Sequence, residues 1–284
     1  MVRLLVSTIF CFSLAFAADT PELARARKLY LTADYEGVIN QLSPVATKTA
    51  ADWLLIGQSW FGRTEFKKAS DALEKAAAAD PGNATVWLWL GRAYGRRAET
   101  SSMLSAPGLA SKCRQAFEKS VELNPRYREA LNDLFDYYIQ APGFLGGGEA
   151  KAQALIDKIA ALDPAERHFA EARLAESRKE YSRAESQLRR AMELAPTQIG
   201  RAIDLAKFLA RRGRIAESEA AFTQAEKLNP NDPTLLFERA ATYIDGKRNL
   251  PAAKALLERY VNSPLTPDNP SREEARRLMG KVGG

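Results

Sequence analysis

Apolar and polar positions recur along this chain in one fixed pattern. A small residue is followed four positions later by a large apolar one, three later by a third inward position, and five later by a proline. The series reads Ala69, Leu73, Ala76, Pro81, then Cys113, Phe117, Ser120, Pro125, then Ala152, Ile156, Ile159, Pro164. It continues as Ala184, Leu188, Ala191, Pro196, then Ser218, Phe222, Ala225, Pro230, and ends as Ala252, Leu256, Arg259, Pro264. Spacings of four and three place the three side chains on one face of a helix. Proline fits the first turn of a helix and not its interior, so each proline closes one unit and opens the next. Asp80, Asn124, Asp163 and Asn229, each just before a proline, add the short polar side chains that favour turns and caps.

A second helix is expected upstream of each signature. The clearest are Trp53-Leu-Leu-Ile-Gly57-Gln-Ser-Trp60 and Trp87-Leu-Trp-Leu-Gly91-Arg-Ala-Tyr94, where the glycine leaves room for a neighbouring helix. From Pro196 to Pro230 to Pro264 the step is 34 residues. A fixed period of this length is the mark of a solenoid, in which each unit buries its face only against its neighbours. A weaker first unit fits residues 20–49, with Val38, Leu42 and Val45 and no closing proline.

On these residues the chain resembles the tetratricopeptide repeat family: Trp, Leu-Gly or Ile-Gly, an aromatic, then Ala, Phe or Leu, Ala and Pro. The resemblance implies an all-α fold, a right-handed superhelix of about seven helix pairs. The first helices then line a concave groove, and a capping helix falls near residues 270–281. It also implies protein or peptide ligands. The lysine–asparagine set with which chaperone-type repeats clamp a C-terminal carboxylate is not found here.

Helical register places Leu54, Gln58, Leu88, Arg92, Arg96, Ile203, Lys207 and Arg211 in the groove, joined by Asn132 and Asp136 in the fourth unit. Apolar side chains beside arginine and lysine suit a peptide with apolar anchors and acidic groups. Two units break the period: Pro81 to Pro125 is 44 residues and Pro125 to Pro164 is 39. The extra residues fall between first and second helices, near 97–110 and 141–148, and should lie side by side on one edge. Insertions on one face of a solenoid are often the binding face. The second insert carries Phe144, Leu145, Gly146, Gly147 and Gly148. Its glycines either offer backbone N–H groups to an anion or form a flexible turn, but the lysine and hydroxyl residue of a phosphate loop are missing. Phe144 and Leu145 either tuck onto the neighbouring insert or touch a partner. The Ala141–Gly148 run is similar to segments of exported bacterial repeat proteins.

The chain start changes the picture of where the protein works. Arg3, the apolar run Leu4–Phe16 and then Ala15-Phe16-Ala17 have the order of a secretory signal, with cleavage after Ala17 or Ala18. The run is shorter than the ~20 residues of a membrane-spanning helix. Residues 1–18 are therefore expected to be removed, leaving 19–284 as one exported repeat domain with no transmembrane anchor, periplasmic or otherwise extracellular. Phe10 before Cys11 argues against lipid attachment. Cys113 then has no partner for a disulfide and reads as a buried, inert thiol.

Composition excludes several classes. Lys and Arg number 41 against 35 Asp and Glu, a formal charge of +6 spread along the chain, unlike the concentrated stripe of a nucleic-acid binder. One histidine, His168, rules out a two-histidine metal site and falls at a packing position. No Gly-x-Ser-x-Gly elbow or dinucleotide glycine pattern occurs, and carboxylate pairs such as Glu171 and Glu176 lie on solvated helices. No catalytic residue, metal ligand or cofactor is assigned. The expected role is a scaffold or adaptor for an envelope protein. The alternatives are a permanent subunit of an envelope or export assembly, and a small-ligand carrier or enzyme accessory with a pocket beneath the inserts.

Overall fold

The computed structural model describes residues 19–282, so the expected signal segment lies outside the described residues. The described chain forms seven helix pairs and a final helix. The pairs are α1 (Pro21–Leu31) with α2 (Tyr35–Leu42), α3 (Ala50–Gly62) with α4 (Phe66–Ala79), and α5 (Ala84–Thr100) with α6 (Ala106–Leu123). Next come α7 (Arg128–Gln140) with α8 (Glu149–Ala160), and α9 (Pro164–Ser177) with α10 (Tyr181–Leu194). The last are α11 (Ile199–Arg211) with α12 (Ile215–Leu228) and α13 (Pro233–Asp245) with α14 (Leu250–Val261), followed by α15 (Arg272–Gly280).

Short polar residues start these helices as expected. Thr49 and Asp52 form a reciprocal capping box on α3, and Asn83, Asp163, Asp232 and Ser271 accept first-turn amides of α5, α9, α13 and α15. Pro164 does open α9. Pro81, Pro125, Pro196 and Pro230 instead sit in the turn just before the next helix begins. Within five pairs, the residue two beyond the first helix takes a left-handed conformation: Ala33, Thr64, Lys179, Gly213 and Lys247. The two pairs with inserts lack this turn.

Every substantial contact between α-helices involves an odd-numbered helix, and odd-numbered helices also pack on one another, as α1 on α3, α3 on α5 and α5 on α7. The first helices therefore form the inner layer and the second helices the outer one. The signature residues form the core between layers: Ala69, Leu73, Ala76, Phe117, Ile156, Leu188, Phe222 and their equivalents are buried. The seventh unit departs from the sequence register by one residue. Ala253, Leu257 and Tyr260 are buried there, whereas Ala252 is exposed. Tyr260 fills the inward position assigned to Arg259, and burying an aromatic ring rather than a guanidinium fixes the register.

The two inserts are built differently. The first is absorbed by lengthening α5 and α6, leaving only residues 101–105 between them. The second is a single turn of 3-10 helix, Gly143–Leu145, which lies against Arg114 of α6. The two ends of the solenoid meet. Ala33, between α1 and α2, packs against the cluster of Leu257, Tyr260 and Ala275, and Glu274 of α15 lies 3.7 Å from Arg96 of α5.

Candidate functional site

The inner face of the first helices is the surface a ligand would meet. It holds a cleft of about 630 Å³, lined by Phe61, Trp89, Arg92, Arg96, Asp133, Asp136, Tyr137 and Gln140 of α3, α5 and α7. Its far wall is Pro267, Asp268, Asn269 and Pro270, the segment between α14 and α15. Trp89 supplies the aromatic floor, with the Phe61 ring 5.4 Å away edge-on and the Arg92 guanidinium 4.9 Å above it. A second cleft of about 390 Å³ opens where α9 and α11 stand apart, lined by Phe169, Arg173, Glu176, Asp204, Lys207 and Arg211.

Six of the ten predicted groove residues line clefts of this face: Arg92, Arg96 and Asp136 the larger one, Lys207 and Arg211 the second, and Gln58 a smaller recess beside Pro267 and Pro270. Leu54 is half-buried against the core. Leu88 and Ile203 do not reach the groove, being 1% and 3% exposed. An inner helix is flanked on both sides and backed by second helices, so only a narrow stripe stays open, and a side chain at its margin turns into the helix contacts. On α5 that stripe is Trp89, Arg92, Arg96 and Glu99. Asn132 is spent between helices, donating to Glu166 of α9 at 2.9 Å.

The groove cations are not free. Arg92 donates to Asp133 at 2.5 Å, Lys207 to Glu238 at 2.6 Å, and Arg211 to both oxygens of Glu176 at 3.0 and 2.9 Å. Arg173 pairs with Asp136, and Arg201 with Glu166 in a nearly buried contact. These pairs form a ladder across adjacent first helices, which sequence reasoning missed. Its signal was present: Glu166 and Arg201, like Glu176 and Arg211, are 35 residues apart, close to one repeat step. Arg96 is the exception. Its guanidinium lies 4.9 Å over the Phe66 ring, 3.4 Å from Glu99 and 3.7 Å from Glu274, and its buried Nε has no hydrogen-bond partner.

Burial shapes the titration of this face. Desolvation pushes Asp204 up to about 6, against the pull of Arg201 and Lys207, and raises Asp136 against Arg173. Desolvation likewise pushes the Cys113 thiol up to about 12, the behaviour of an inert buried cysteine. His168 is half-buried, with Nδ1 2.5 Å from Gln187 Oε1.

On the insert edge the glycine amides are committed. Gly146 N–H donates to Gly143 O at 2.9 Å, Gly147 to Pro142 at 3.3 Å and Gly148 to Tyr138 at 2.8 Å, so none is left for an anion. The segment is a hydrogen-bonded turn. Glycine is required at 147, where a Cβ would meet the Ala141 carbonyl at 1.8 Å. Leu145 is half-buried, but Phe144 is 83% exposed. Met103 and Leu104 of the other insert are 92% and 96% exposed.

Comparison with solved structures decides the architecture. A tetratricopeptide repeat protein from Parabacteroides merdae aligns over 93% of this chain and 98% of its own, at 14% identity and a TM-score of 0.57. The chain has the tetratricopeptide-repeat fold. A thermophilic tetratricopeptide protein of Thermus thermophilus aligns over 70% of this chain and 97% of its own, at 18% identity and TM-score 0.52. A chain of the APC/C hetero-tetramer Cut9–Hcn1 aligns over 92% of this tetratricopeptide solenoid and 48% of its own length, at 15% identity and TM-score 0.53. No protein-family model matches the sequence. No curated protein matches it either.

Proposed function

We propose that this tetratricopeptide solenoid is a scaffold without catalytic activity of its own, holding a protein partner of the cell envelope across its inner face. The observation that carries the reading is the cleft of about 630 Å³ on that face, with Trp89 as floor and Arg96 as an incompletely paired cation. Apolar anchors for the aromatic floor and a carboxylate for Arg96 give the partner mixed chemistry. The remaining cations are already neutralised by the ladder, so an acidic partner has less to gain than their number implies. The fold supports a docking role: a chain sharing it belongs to the Cut9–Hcn1 hetero-tetramer. The leader-like start of the sequence supports an exported protein, and no described helix is long and apolar enough to cross a membrane.

Met103, Leu104 and Phe144 favour the insert edge as a second contact face, because loop-borne apolar side chains left this exposed are typical of interaction sites. A pull-down from envelope extract with three baits separates the faces: wild type, Arg96→Glu with Gln140→Glu, and Met103→Ser with Leu104→Ser and Phe144→Ser. A protein captured by wild type and lost with the first variant assigns the groove; loss with the second assigns the edge. Equal background from three folded helical baits refutes both.

A further inference from the structure

The far wall of the larger cleft is the chain's own C-terminal segment, and its anchoring is one-sided. Toward the last repeat it is held by directional bonds. The Tyr260 hydroxyl donates to Pro270 O, Asn269 to Thr234 at 3.3 Å, and Arg272 to the carbonyls of Val261 and Ser263 at 3.1 and 3.0 Å. Toward the first repeats, among the described residues, no hydrogen bond joins it to α1–α5. The Arg96–Glu274 contact at 3.7 Å is its one ion pair there. The segment itself is a turn, with Asn269 N–H donating to Thr266 O at 3.1 Å and Pro267 at the position where proline is pre-set. It presents two prolines and Asp268 to Tyr30, Phe61, Trp89, Arg92 and Arg96. Aromatic rings take proline faces, and arginines take carboxylates.

We propose that residues 266–271 with α15 form a clasp seated in the groove of the first three repeats as a ligand would be. The partner segment that replaces it is then a proline-flanked acidic turn. This rests on the reading of the inner face as the docking surface. With the seat filled from within, an outside segment binds only the open fraction, so its apparent affinity is reduced by that fraction. Opening swings the last repeat and its clasp away together, since the bonds on that side are the strong ones.

The test uses the full chain with Asp268→Lys and Glu274→Arg, which reverse charge at the seam and leave the anchoring bonds to the last repeat. X-ray scattering should show a larger radius of gyration than wild type. A labelled peptide of residues 265–271 should bind the variant about tenfold or more tightly than wild type by fluorescence anisotropy. Unchanged dimensions, or a peptide that binds the opened chain no better, overturn the proposal. So does a dimer by light scattering, which would mean a second copy fills the seat. If the double variant does not fold, Glu274→Gln should give the same shifts, smaller in size, and no shift counts against the clasp. Partner capture that persists while these tests fail sinks the clasp alone and leaves the docking surface standing.

Discussion

Asp204 lies in the cleft between α9 and α11, and burial raises its carboxyl to about 6 from an unfolded value near 3.9. Between those values the folded chain holds the extra proton. This group's contribution to stability is therefore full below about pH 4 and is lost as pH rises through about 6. Measured by chemical denaturation, the stability of wild type minus that of Asp204→Asn should fall by about 2–3 kcal/mol from pH 4 to pH 7. A difference that is flat or rises with pH contradicts the burial argument. Residue identity alone could not give this, because the shift comes from what α9 and α11 pack around the carboxyl. The same holds for the ladder. Arg92, Lys207 and Arg211 were legible as groove residues from helical period, but their pairing with Asp133, Glu238 and Glu176 depends on how one repeat lies against the next.

At the scale of elements, the helix pairs were readable because their core positions repeat with helical spacing and their boundaries carry proline and short polar caps. The final pair was misread by one residue, since its proline follows the inward Tyr260 by four residues instead of five and only packing selects Tyr260 over Arg259. Glycines at helix contacts give a sharper test. A Cβ at Gly91 would stand 2.5 Å from the Phe117 ring, whereas one at Gly95 would meet Cys113 Sγ at 3.4 Å. Gly91→Ala should cost about 1–3 kcal/mol through overpacking. Gly95→Ala should be neutral or stabilise by up to about 1 kcal/mol, because alanine is the better helix former. Thermal melts of the two variants check this, and equal melting temperatures would mean α5 does not press on α6 as described.

The whole molecule closes on itself, and that closure was not legible from sequence. Period and count predict seven pairs and a cap near 270–281, which α15 fulfils. How far the superhelix turns depends on small rotations summed over every repeat, so the return of Pro267–Pro270 to the first repeats has no local signal. The inserts also defied a local reading. Extra residues near 97–110 lengthen α5 and α6 rather than form a long loop, because helix satisfies its backbone internally. On the proposed reading, the inner face and not the outer layer holds the partner. A photo-crosslinking side chain at Gln140, which lines the cleft, against one at Lys254, exposed on α14, tests it directly in cells. A discrete crosslinked protein is expected from position 140 and none from 254. The same protein crosslinked from 254 and not from 140 would contradict it.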